Sequence, residues 1–188
     1  MFSLFKRQVS SNEFANQTWE AVRDWPVTHG AEFRRDFDGA FDKSTEQVFN
    51  EMVYFLAFAT DYAFWGQLKS PDIRNAVRDT FALQVERFAK ERNCPPIPSG
   101  DWTGSGLIWL PTDTLLEGDS RTNLLRRYEL YGKSLKRRED TAPGERVAHI
   151  LAALCGTLDV TFIMCGTTLF QARWKGVQDI LGSFKIRD

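Results

Sequence analysis

Apolar residues recur along most of this chain at the three- and four-residue spacing of helices, and capping residues stand where the runs begin. Ser10-x-x-Glu13 has the form of a capping box, in which a hydroxyl and a carboxylate satisfy free amides at a helix start. The helix it opens carries Phe14, Trp19, Val22 and Trp25 and should stop before Pro26. Phe33, Phe37 and Phe41 then fall four apart, which puts three rings on one side of a short helix over 31–42, although Gly39 weakens it.

Ser44-x-x-Gln47 is a second box, and the helix it begins, through Leu68, is the most apolar of the first half. Gln47, Glu51, Tyr54 and Asp61 form a narrow polar stripe on it, and nearly everything else is aliphatic or aromatic. A helix apolar almost all round belongs at the centre of a bundle. Ser70-Pro71 supplies an N-cap and a proline at the first helical position of the next helix, which runs to Arg92. It is amphipathic, with Ile73, Val77, Phe81, Val85 and Phe88 facing inward.

From 93 to 120 the pattern fails. Pro95, Pro96, Pro98 and Pro111, with Gly100, Gly104, Gly106 and Gly118, exclude a continuous helix, and Trp102 and Trp109 sit among them. The segment reads as one long loop, with a short strand or helical turn over 107–110. A helix resumes over 121–138, with Leu124, Tyr128, Tyr131 and Leu135 inward. The strongly apolar stretch 143–174 reads as one long helix, or as two that meet near Gly156 with Asp159 capping the second. Val177, Ile180 and Leu181 suggest a final short helix.

These patterns predict an all-α fold, a single-domain bundle of about five to seven helices with a long Pro-, Gly- and Trp-containing loop. The alternative is α+β with a short strand pair near 157–170, because Val160, Thr161, Phe162 and Ile163 are β-branched or aromatic in a row. A length of 188 residues suits one domain, and 43% hydrophobic content with 15 Phe and 6 Trp supplies its core. Residues 147–170 are numerous enough to cross a bilayer, but Asp159 in mid-span would cost ~3 kcal/mol, which favours a buried helix.

The three cysteines, Cys94, Cys155 and Cys165, show no metal-ligand spacing, and with no export signal they point to a reducing, cytoplasmic setting. The chain carries no recognisable cofactor motif. Asp36-x-Asp38-Gly39 resembles a fragment of a calcium loop without its bidentate acid, and no metal site is expected. Thr103-Gly104-Ser105-Gly106 lacks the lysine of a phosphate-binding loop and reads as a turn.

Two surfaces remain. Arg126, Arg127, Lys133, Lys136, Arg137 and Arg138 give the 121–138 helix a basic face, and Trp102 and Trp109 offer large apolar anchors beside it. The reading that follows is a non-enzymatic adaptor, immunity or regulatory protein whose partner is a protein. A net charge of -1 argues against nucleic acid. The first rival is a small enzyme or ligand-binding protein with its pocket under the 93–120 loop and Asp61, His149 and Asp159 as the chemical groups. The second is a peripheral membrane protein held on anionic lipid by Phe2, Leu4, Phe5 and the basic face.

Overall fold

The computed structural model describes residues 7–102, 109–136, 142–157 and 159–187. In chain order these form β1 (Arg7–Ser10), α1 (Ser11–Arg23), α2 (Trp25–Asp36), α3 (Thr45–Gln67), α4 (Pro71–Glu91), β2 (Ile97–Trp102), β3 (Trp109–Leu116), α5 (Ser120–Lys136), α6 (Pro143–Cys155), α7 (Val160–Ser183) and β4 (Phe184–Arg187). The fold is a helical bundle with two short strand pairs.

The capping residues act largely as their spacing implies. Ser44 accepts from the Gln47 amide at 3.3 Å and Gln47 accepts from the Ser44 amide at 3.0 Å, a complete box. At Ser10 only the hydroxyl half forms, because the Glu13 carboxylate turns instead to Arg7 at 2.8 Å. Helix α1 stops before Pro26, at Arg23, and Trp25 belongs to the next helix. Asp24 alone separates α1 from α2, and Pro26 occupies the first turn of α2, where its missing N–H goes unneeded. The second helix therefore ends at Asp36 rather than spanning 31–42, and Gly39 turns the chain at φ +71°. The three phenylalanines still converge, from helix, cap and loop. Phe33, Phe37 and Phe41 lie 5.9, 5.4 and 5.0 Å from the Phe162 ring of α7.

Helix α3 is the axis of the bundle. Every residue from Glu51 to Thr60 is buried, and α1, α2, α4, α5, α6 and α7 all pack on it. Such a helix must be apolar on all sides, which is the pattern its sequence shows.

Most of the described part of 93–120 is strand and not irregular loop. Ile97–Trp102 and Trp109–Leu116 form an antiparallel pair, with Ile97 opposite Leu116 and Trp102 opposite Trp109, and the register shifts between Pro98 and Gly100. Prolines are tolerated because each strand of a two-stranded sheet is an edge and leaves half its amides unpaired in any case. Trp109 is buried, and a side chain at Gly100 would come within 2.5 Å of its indole, so only glycine fits there.

The apolar final third divides at Gly156. This residue adopts φ 73°, ψ 37°, and the Thr157 amide donates back to Ala152 O at 3.0 Å, the hydrogen bond that closes a left-handed helix end. Asp159 then caps α7 by accepting from the Phe162 amide at 3.0 Å. The strand alternative near 157–170 does not form. Small residues let the two helices approach (a side chain at Gly166 would meet the Ala148 Cβ at 3.0 Å), and that packing overrides the β-propensity of Val160 to Ile163. Val177, Ile180 and Leu181 belong to the last turns of α7, not to a separate helix. Among the described residues, no helix is long and apolar enough to cross a membrane. The ends of the described chain meet in a parallel pair, β1 with β4, from Arg7 opposite Phe184 to Ser10 opposite Arg187.

One ionic contact lies at the middle of this packing. Arg127 of α5 reaches Glu51 of α3 through both Nε (2.8 Å) and Nη2, and the two side chains are 1% and 2% exposed. Its remaining nitrogen donates to Pro95 O at 2.9 Å and to Asn123 O at 3.1 Å, and its guanidinium lies 5.4 Å from the Tyr54 ring centroid. Burial works to lower the guanidinium's pKa. The charge and hydrogen bonds of Glu51 overcome that effect and hold it above its ordinary value, so the guanidinium stays charged. Asn123 completes the join by donating to Cys94 O and Gly118 O, before and after the hairpin.

Two stability measurements check this account. Phe55→Ala and Leu56→Ala, both at fully buried positions, should each cost about 2–5 kcal/mol in a denaturant titration. A loss under ~1 kcal/mol for both would remove α3 from the centre. Arg127→Met should cost about 3–5 kcal/mol by stranding the Glu51 charge, whereas Glu51→Leu combined with Arg127→Met should cost much less than the two singles added. Simple additivity across that cycle would show that the two charges do not depend on each other.

Candidate functional site

The basic face of α5 is narrower than its composition suggests. Arg127 is core, for the reason just given, and cannot meet a partner. A signal for this exists in the sequence: Leu124, Arg127, Tyr131 and Ser134 recur at the three- and four-residue spacing of one inward stripe, and all four are buried. Arg126 is half-buried, and its Nη1 donates to Leu116 O and to Glu117 O (2.9 Å), fastening the end of the hairpin to α5. Lys133 is exposed and paired with Glu129 at 2.7 Å, and Lys136 is exposed. Arg137 and Arg138 fall outside the described residues, as do Phe2, Leu4, Phe5 and residues 103–108. Of the two tryptophans, Trp109 is an anchor inside the core and not a surface group; for Trp102 only its backbone pairing is described.

A groove runs where hairpin and helix meet. It encloses about 230 Å³ and is lined by Pro98, Gly100, Trp109 and Leu116 on one side and by Arg126, Glu129 and Lys133 on the other. The strand beyond it exposes Leu110, Leu115 and Leu116 at 51%, 52% and 37%. Strand alternation sends Leu115 and Leu116 to opposite faces, and Leu116 lines the groove, so both sides of this strand end present aliphatic surface.

The three proposed chemical groups do not come together. His149 is half-buried on α6, Asp159 is occupied as the cap of α7, and neither lines the cavity that holds Asp61. That second cavity, also about 230 Å³, opens between α4 and α5 with α3 behind it. Phe81, Val85 and Leu124, each at most 3% exposed, make its floor, and Ala82 and Leu125 stand at its rim. Across one end, Arg78 holds Asp61 with two parallel hydrogen bonds, Nε to Oδ1 at 2.6 Å and Nη2 to Oδ2 at 2.8 Å. That hydrogen bonding to Asp61 keeps the Arg78 guanidinium above its ordinary pKa. Burial, and then the Asp61 charge, push the Tyr128 phenol well above its usual range, so it remains a donor at any physiological pH. Both carboxylate oxygens of Asp61 are taken up by Arg78.

In sequence and in fold, the chain matches no known family, no curated protein and no solved structure.

Proposed function

We propose that this chain is a non-enzymatic interaction protein that binds a protein partner through the outer face of the hairpin and the adjoining turns of α5. The observation that carries the reading is the exposure of Leu110, Leu115 and Leu116 on β3, beside a groove whose far wall carries Lys133. Asp101, Asp113, Glu117 and Asp119 are exposed on or next to the same hairpin, so the exposed leucines stand among charges of both signs. A polyanion such as nucleic acid or an acidic lipid surface would meet those four acids together with the lysines. A protein surface can match both. The reading assigns Arg126 and Trp109 to holding the hairpin in place and leaves contact with the partner to the leucines, Lys133 and Lys136. Three free thiols and the reading as a soluble bundle fit a cytoplasmic setting.

The test compares the wild-type protein with Leu110→Ser/Leu115→Ser as baits in cross-linking capture. Both substituted positions are half-exposed, so the double variant should keep its far-ultraviolet and near-ultraviolet circular dichroism. A partner retained by the wild type should be lost by about tenfold or more, since apolar centres dominate interface energy. Lys133→Glu/Lys136→Glu should weaken the same complex chiefly at low salt, through slower association. Equal capture by the wild type and the leucine variant would end this reading, and binding to anionic vesicles in place of any protein would replace it with the membrane one.

A further inference from the structure

The cavity between α4 and α5 has no part in the hairpin surface, and its lining selects for a particular chemistry. Four charged side chains border it: Asp61, Asp79 and Glu86 against Arg78. Two of the acids are already matched, Asp61 by Arg78 and Glu86 by Arg121 at 3.1 Å. Asp79, the residue after Arg78 and on the exposed side of α4, makes no hydrogen bond or ion pair among the described residues. The mouth of the cavity therefore carries one carboxylate more than its two guanidiniums, Arg78 and Arg121, above an apolar floor, and the electron-rich ring of Tyr128 forms part of its wall.

We propose that this cavity binds a small organic cation with a flat apolar body, of the arylalkylamine kind. The body would lie on Phe81, Val85 and Leu124, where water has few partners, and the ammonium would face Asp79 at the mouth. An anion of the same shape is disfavoured by three carboxylates set against two guanidiniums, which are already paired with Asp61 and Glu86. A cavity of about 230 Å³ lies below the usual ~300–1,000 Å³ of ligand pockets, so the ligand is small, about ten heavy atoms, and its affinity modest. The fork between Arg78 and Asp61 gives the cavity a rigid end, since two parallel hydrogen bonds fix both side chains.

The test titrates three molecules of one shape into isotope-labelled protein: phenethylamine, its neutral counterpart phenethyl alcohol, and the anion phenylacetate. Phenethylamine should shift the amide resonances of Ala82, Val85, Leu124 and Leu125 and saturate at millimolar concentration. The alcohol should bind about tenfold more weakly and the anion should leave those resonances unmoved. Asp79→Asn, a change at an exposed position, should reduce the amine to the alcohol's affinity without altering the alcohol. Filling the space with Ala82→Trp should abolish both. The proposal fails if the alcohol binds the wild type as tightly as the amine, if phenylacetate binds best, or if no compound moves resonances from these helices. The isostere comparison needs only the wild-type protein, so it decides the matter even if a variant does not fold.

Discussion

The contact on which the bundle most depends is the ion pair between Glu51 and Arg127. Each of its members is almost wholly withdrawn from water, and that withdrawal alone costs several kcal/mol per charge. The cost is met by geometry: two nitrogens on one carboxylate, a third on the Pro95 carbonyl, and a tyrosine ring beside the plane. The pair also sets position. An apolar core accepts many arrangements of similar volume, whereas a buried carboxylate accepts only the one that brings its guanidinium. Here that arrangement places α5 against α3 and, through Pro95 and Asn123, fixes where the hairpin leaves α4 and where it rejoins α5. Both surfaces on which function is proposed lie along α5, and so inherit their shape from this pair.

Much of the helical frame was legible because capping chemistry is local. Ser44 with Gln47, Ser70 with Pro71, and Asp159 three residues before Phe162 each mark a helix start that neighbouring residues alone decide. The central place of α3 was legible for a different reason, since only total burial tolerates so few polar positions. What escaped was what depends on distant partners. The hairpin strands are proline-rich and lack alternation, and β1 and β4 are four residues each, held in register by one another and not by any local preference. The stop before Pro26 was legible, but that Trp25 and Pro26 themselves open the next helix was not, since a proline fits a first helical turn as well as a break.

The functional residues divide along the same line. Counting charges on α5 suggested one basic face, but the position of a charge on the helix decides its use. Arg127 falls on the inward stripe and becomes structural, Arg126 on its shoulder ties down backbone carbonyls, and Lys133 and Lys136 are turned to water. Trp109 was drawn inward in the same way, leaving aliphatic side chains to form the exposed patch. Asp61 was visible as a polar interruption of α3. That Arg78 would meet it from α4 depends on how the two helices cross, which their sequences do not state.

The parallel pairing of β1 with β4 has a mechanical meaning. The chain enters this ladder at Arg7 and leaves it at Arg187, which sit at opposite ends of the two strands. Tension applied between the two ends would pull the strands along their own length, in shear, and load all the rungs at once. An antiparallel arrangement of the same residues would open like a zipper, one rung after another. Four residue pairs make a short clasp, but its orientation lets it carry force between whatever is tethered before β1 and after β4 without first stripping α1 or α7 from the core.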